Sequence, residues 1–419
     1  MKSSRTQLIA GLLTLGMSLA ANDPARAGFL VLHSFNGAVS DATGPVYGKL
    51  LLSGSQLYGM TNWGGSADQG AIFKIGADGS GYAVIHSFAG GSEGGRPTGS
   101  LTQSGSTLYG MAGNAGAGGA NDGTIFQIGP DGTGYSVLHT FGGGSGDGAS
   151  PQDSMTLSPS TPTFYGLTFS GGSANRGTIF QIGTDGSGFG LLHSFLGGST
   201  DGQQPNDSLV QSGSTLYGTC NYGGSSGDGT IFSIHADGTG YTTLHNFTDA
   251  DGFYPEASLV LSGSTLYGTT EFSSKSTYTG GTVFKMNTDG TGFSLLHTFT
   301  AHGDGSLPTG SLILSGSHLF GTTDSGGSAS DGTIFELGTD GTNYNVLHSF
   351  SGTDGEFPQG ALTLSGSTLY GMAFEGGSFG GGAIFSLTVA VPEPSTLVLA
   401  VSGLASSLIY AWRRRIVRP

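Results

Sequence analysis

Cysteine is almost missing from this chain: among 419 residues Cys220 is the only one. No internal disulfide can form, so the fold must rest on packing and backbone pairing. Charge is scarce too, at 10% of residues, and basic charge is scarcer still. Residues 28–388 hold six basic side chains (Lys49, Lys74, Arg96, Arg176, Lys275, Lys285) against 26 acidic ones, a balance of −20 with His neutral. A surface of that sign repels phosphate backbones, which argues against a nucleic-acid partner. The central part contains no stretch that reads as a helix. Nor does it hold a nucleophile elbow, a P-loop or a metalloprotease motif.

What the chain has in abundance is glycine, 81 residues, spread without a G-X-Y period. That excludes collagen. Short runs of Leu, Ile, Val, Phe and Tyr recur between the glycine clusters, which excludes disorder and points to an all-β protein with many tight turns.

These runs form one sentence repeated seven times, with a period of about 52 residues. Its first landmark is Leu-Tyr-Gly or a variant, at Tyr58, Tyr109, Tyr165, Tyr217, Tyr267, Phe320 and Tyr370. A Gly-Thr-Ile-Phe-like strand follows, with Phe73, Phe126, Phe180, Phe232, Phe284, Phe335 and Phe385. The third landmark is Leu-His-Ser-Phe-like, with His33, His86, His139, His193, His245, His297 and His348. In the second copy, Ser100–Gln103 and Thr107–Met111 read as strands turned by Ser104-Gly105-Ser106. Thr124–Ile128 and Tyr135–Phe141 read as a hairpin across Asp131-Gly132, because Asp-Gly supplies positive φ cheaply. Four strands per unit and seven units predict a seven-bladed β-propeller over residues 28–388. The order at the ends favours a ring. Residues 28–35 supply a fourth strand without partners, while the last copy stops after Ala383–Leu387 and lacks one. The first fragment is therefore expected to close the last blade and remove the open edge.

Both ends read as addresses. Lys2 and Arg5 precede an apolar run from Leu8 to Ala20, and Ala25 and Ala27 place a signal-peptidase cut before Gly28, so residues 1–27 are expected to be a signal peptide. Residues 389–395 form a linker containing Pro392-Glu393-Pro394. Residues 396–412 are apolar or small, and 413–419 are rich in arginine. At about 1.5 Å per residue the apolar stretch spans roughly 25 Å, the short end of a transmembrane helix. The arginines should stay cytoplasmic, leaving the body outside.

The C-terminal sequence resembles the bacterial PEP-CTERM sorting signal, with a Pro-Glu-Pro motif, one hydrophobic helix and a basic end. The resemblance implies recognition of Pro392, Glu393 and Pro394 by an exosortase, a membrane transpeptidase-like enzyme, and an association with exopolysaccharide. The repeats resemble the GloVer tandem repeat of bacterial surface proteins through Leu-Tyr-Gly-Thr-Thr, a Gly-Gly loop, Gly-Thr-Ile-Phe, Asp-Gly-Thr-Gly and Leu-His-Ser-Phe. That family offers no catalytic residues to carry over.

Several residues invite a chemical role. The seven histidines occupy equivalent positions, too far apart round a ring to share one metal ion. Strict alternation puts His139 on one face with Tyr135, Val137 and Phe141, between blades, with a neighbour's backbone as its expected partner. One Asp-Gly set lies in hairpins (Asp78, Asp131, Asp185, Asp237, Asp289, Asp340). Another precedes the next blade (Asp147, Asp201, Asp251, Asp304, Asp354). Turn chemistry accounts for both, and no D-x-D-x-D-G loop gathers calcium ligands. No cofactor is expected, although loops meeting in space leave room for structural calcium. Departures from the repeat include Trp63, His235, His302, His318 and the segment Glu271–Tyr278. Glu271, Glu375 and Asp324 follow Leu-Tyr-Gly landmarks and could pair as carboxylates for glycoside cleavage, though spacing does not place them together. The expectation is thus an exported, membrane-anchored surface protein, non-enzymatic, binding or structuring the envelope or exopolysaccharide matrix. The alternative is a propeller hydrolase or lyase acting on extracellular polysaccharide.

Overall fold

The computed structural model describes residues 28–38, 41–45, 48–114, 122–276 and 278–389. Ala25, Ala27, the Pro392-Glu393-Pro394 motif and the apolar C-terminal stretch lie outside the described residues. Gly28 is described, and its carbonyl accepts a hydrogen bond from the Thr388 amide. Among the described residues no helix is long and apolar enough to cross a membrane. The one helical element among the described residues is a 3-10 turn, Gly91–Glu93.

Seven antiparallel blades of four strands make a β-propeller. Blade 5 is representative: Val260–Ser262, Thr265–Thr270, Thr282–Asn287 and Ser294–Thr298 pair in that order, from the channel outward. In blade 7 the order is Thr363–Ser365, Thr368–Ala373, Ala383–Thr388 and then Phe29–Ser34 from the start of the chain. Phe29 faces Leu387 and Ser34 faces Ala383 across this seam. The closing strand thus joins the two ends of the ring.

The core sits between blades, not within them. Each of seven apolar clusters combines the Phe after an outer histidine with residues of the next blade. Phe35 meets Phe73, Phe88 meets Phe126, and Phe247 meets Phe284. Such a ring offers each fully buried Phe about 1.5–3 kcal/mol of transfer free energy. The glycine of Leu-Tyr-Gly is required by this packing: a Cβ on Gly59 would lie 2.4 Å from Phe73 Cζ and 2.8 Å from Leu50 Cδ2.

Strict alternation fails in the outer strands. Every pairing of third and fourth strands carries a bulge just before the histidine, as between Val137 and His139. The extra residue re-aims the strand. Tyr135 therefore packs in the cluster between blades 1 and 2, whereas Phe141 and Leu138 pack between blades 2 and 3. His139 goes with Phe141, at 4.9 Å between ring centroids, and not with Tyr135.

Candidate functional site

The histidines prove to be a belt near the rim of the ring. Each imidazole stacks on an aromatic ring of the following blade: His33 on Tyr82, His86 on Tyr135, His139 on Phe189, His193 on Tyr241, His245 on Phe293, His297 on Tyr344 and His348 on Phe29, at 3.7–4.1 Å. Each Nε2 lies 2.8–3.5 Å from a carboxylate of the loop leading inward to the next blade: Asp41, Glu93, Asp147, Asp201, Asp251, Asp304 and Asp354. At His33, His139, His193 and His348 the geometry is that of a hydrogen bond, so the partner there is a side chain, not the expected backbone; at His86, His245 and His297 the carboxylate is near but the bond is not formed. The carboxylates also cap loop amides, as when Asp147 accepts from Gly142 and Gly148. The second Asp-Gly set therefore does more than turn the chain. The hairpin set does only that: Asp131 Oδ1 accepts from the Thr133 amide and hydroxyl.

Strand direction defines the other region. First and second strands are joined by a tight hairpin at one end of the channel. Residues before the first strand and after the second therefore meet at the opposite end. Here each copy carries Pro-x-x-Ser-Leu or a variant, and the innermost strands of all seven blades line a channel of about 1220 Å³. The residue two before the Leu (Met155 in blade 3) of that segment is Gly48, Gly99, Ala257, Gly310 or Gly360 in five blades, but Asp153 and Asp207 in blades 3 and 4. Asp153 holds this position at a φ of 44°, in the region that favours glycine.

The two aspartates share a serine network inside the channel. Ser208 Oγ donates to Asp153, Ser258 Oγ to Asp207 Oδ1, and Ser311 Oγ to Asp207 Oδ2 at 3.2 Å. Burial pushes the Asp207 carboxyl well above the usual range, and the neighbouring Asp153 pushes it further, so Asp207 favours keeping its proton.

Beside this pair an acidic arc runs over blades 5 and 6. Burial pushes Glu271 up to about 8, with Glu256 and Asp324 adding to the rise. Burial likewise raises Glu256 to about 7, against the bond from Asn221. Asp324 is raised by burial and by Glu375, against the bond from Gln359. Glu271 and Asp324 are therefore brought within electrostatic reach of each other. Glu375 is exposed on blade 7 and reaches the group only through Asp324. An aromatic group adjoins the arc: Tyr222 packs on Tyr254 at 4.6 Å and Phe253 on Phe272 at 5.1 Å. Tyr278, 55% exposed, packs against both phenylalanines.

The remaining candidates are scattered. Trp63 stacks under Arg96 at 3.8 Å. His235 contacts Thr239 in a hairpin, His302 contacts the Thr300 carbonyl, and His318 lies 2.7 Å from Glu336. Cys220 is buried. Among the described residues no three His, Cys, Asp or Glu side chains are arranged to hold a metal ion. Sequence reasoning missed Asp153, Asp207 and Glu256. Aligning the copies on Pro-x-x-Ser-Leu would have found the first two, as carboxylates where the other copies have glycine or alanine.

The chain matches none of the curated proteins. Among solved structures it resembles, in fold alone, a GH74 xyloglucanase from Xanthomonas campestris (11% identity, TM-score 0.56). That match covers 83% of this chain and 52% of the xyloglucanase, so the chain spans about half its length. An oligogalacturonate lyase from Vibrio parahaemolyticus is similar at 10% identity and TM-score 0.53, covering 88% of this chain and 95% of the lyase. The repeats themselves match one family model over residues 19–161, 117–315 and 272–404. With that sevenfold sentence matched across nearly all of the propeller, the chain belongs to the Gloeobacter/Verrucomicrobia repeat family.

Proposed function

We propose that this is an exported cell-surface propeller, sorted by its PEP-CTERM-type signal through an exosortase, that binds polysaccharide of the envelope or matrix without cleaving it. One observation carries the binding reading. Glu256 lines the channel, and the acidic residues of blade 5 are chain neighbours of an aromatic group: Tyr254, packed on Tyr222, stands two residues before Glu256, and Phe272, packed on Phe253, follows Glu271. Carboxylates accept hydrogen bonds from sugar hydroxyls, and aromatic faces offer apolar, amphipathic contact for the ring. The balance of −20 over residues 28–388 disfavours uronate or sulfated chains and favours neutral or cationic ones. A glycan array with a polysaccharide-turnover assay tests the reading. Binding without turnover, weakened by Tyr278→Ala, is expected, and indifference to every glycan would overturn it. For the address, replacing Pro392-Glu393-Pro394 with alanines should leave the protein unprocessed in a host that has an exosortase. Unchanged processing would remove that part of the proposal.

A second reading, cleavage of the glycan, draws on Glu256 and Glu271. Two neighbouring carboxyl groups raised to about 7 and about 8 suit a general acid at neutral pH. Two of the propellers resembled in fold are a xyloglucanase and an oligogalacturonate lyase. Turnover abolished by Glu271→Gln or Glu256→Gln would establish it over the binding-only reading.

A further inference from the structure

Blades 4 to 7 bring three half-buried carboxyl groups and two amides to one side of the channel mouth. Asn221 Nδ2 donates to Glu256 Oε1 at 3.0 Å, and Gln359 Nε2 donates to Asp324 Oδ1 at 2.8 Å. Glu271 feels both Glu256 and Asp324. Each amide thus engages its N–H on the protein, and both amide oxygens, Asn221 Oδ1 and Gln359 Oε1, are buried without a partner. Asn221 is only 4% exposed, and its bond to Glu256 holds its unpaired oxygen at the cluster. Leaving such an acceptor unsatisfied costs about 1–3 kcal/mol. Turning the amide over would not cure this, since Oδ1 would then face the carboxylate and Nδ2 would be the atom left free.

The occupant that satisfies this place must bring donors and positive charge. The amide oxygens ask for N–H or O–H groups, and the three carboxyl groups repel one another when ionised. Among the described residues none of the three has a basic partner, because Lys275, on the loop of Glu271, is held by Asp228. Lys49 lines the channel from blade 1. A bare metal ion is disfavoured because, among the described residues, no three His, Cys, Asp or Glu side chains converge on one point. A primary ammonium supplies three N–H donors and one charge in a single group. Tyr278, seven residues after Glu271 in the chain, is exposed and packs against Phe253 and Phe272, an aromatic face of the kind a sugar ring stacks on.

We propose that this place takes the ammonium group of an amine-bearing sugar, so that the polysaccharide read at the channel mouth is a cationic, deacetylated hexosamine chain. The proposal rests on the glycan-binding reading and adds the charge of the ligand. An ammonium ion that drives Glu271 and Glu256 to ionise must also displace protons, which a neutral sugar does not.

Titration calorimetry of the full chain at neutral pH, in two buffers of different ionisation enthalpy, tests this. The probes are a glucosamine oligomer, its N-acetylated counterpart, a cello-oligosaccharide and 1,6-diaminohexane. The glucosamine oligomer should bind roughly tenfold or more tighter than the acetylated one and release about one proton. Glu271→Gln should abolish both effects, and Asn221→Leu should weaken binding. Asp340→Asn removes the same charge from a hairpin at the far end of the blade and should change nothing. Equal binding of all three oligosaccharides would overturn the ammonium proposal and leave the glycan reading standing. Binding of the diamine alone, lost in Glu271→Gln, would keep the ammonium pocket and overturn its sugar. Equal weakening by Asp340→Asn would reduce the effect to general charge attraction and overturn the site. No binding of any probe would overturn both. Melting of Glu271→Gln at or above the parent temperature guards against a folding defect.

Discussion

At the rim, seven imidazoles each stack on the next blade and point at a carboxylate, and every copy repeats the arrangement. At the channel mouth, carboxyl groups stand beside one another with no cationic partner among the described residues, and they come from only some of the copies. The two regions treat buried charge in opposite ways. Burial raises Asp41 and Asp147 at the rim, but their bonds from histidine and from loop amides outweigh it, so both lie below the usual carboxylate range. At the mouth burial is reinforced by like charge, and Glu271 and Asp207 go up. A belt that holds blades together must be the same in each. A site that selects a ligand gains from asymmetry, even when uncompensated charge weakens the fold.

The largest effect should come from cutting the belt. Deleting Gly28–Phe35 removes Phe29 and Phe35 from two different clusters, takes away the stack on His348 and opens the ring. Losing the buried Phe35 alone costs about 3–5 kcal/mol, and the half-buried Phe29 and the seam pairing of the strand add to it, so the melting temperature should fall by more than about 10 °C. A deletion variant that melts like the parent would show that closure is not what holds the propeller.

Next comes a single link of the belt. His139→Ala removes the stack on Phe189 and leaves Asp147 short of one partner. A loss of about 1–3 kcal/mol is expected in urea unfolding, with glycan binding unchanged. Loss of binding with no loss of stability would invert the roles assigned to rim and mouth.

The smallest effect, and the sharpest contrast, lies in pH dependence. Burial lowers His86, His245, His297 and His348, so the stability they contribute is present above the ordinary histidine pKa and is lost as pH falls from there through their lowered folded-state values. Glu256 and Glu271 act in the other direction. Their folded-state values of about 7 and about 8 exceed the unfolded ones, so their contribution is complete below the ordinary carboxylate pKa and lost as pH rises through 7 to 8. Glu271→Gln should therefore stabilise the protein by roughly 1–2 kcal/mol at pH 9, after allowance for partial exposure, and hardly at all at pH 4. An equal gain at both pH values would show that charge is not the cause.

Much of the fold was legible because it is periodic. The glycine-flanked strands and the six Asp-Gly hairpins repeat a local rule along the chain, and the orphan strand at residues 28–35 completes one. The face of the outer histidine was not legible, since a bulge before His139 breaks alternation and nothing in Val137-Leu138-His139 announces it. The site was half legible. Glu271 and Asp324 stood out as departures from the repeat. Glu256 did not, because its position has no consensus to depart from: it is Thr98 and Thr309, Gln152 and Gln359, and Asn206 in other copies.

The sequence by itself determined the unit, its count and the strand that joins the ends, because strand period, turn residues and apolar spacing are local properties of the chain. Only the tertiary structure decided which charges meet. Asp153 and Asp207 are 54 residues apart and Glu271 and Asp324 are 53 apart. Wrapping the blades round a channel brings each pair together, and burial then raises Asp207 and Glu271, which open chain would leave at ordinary values.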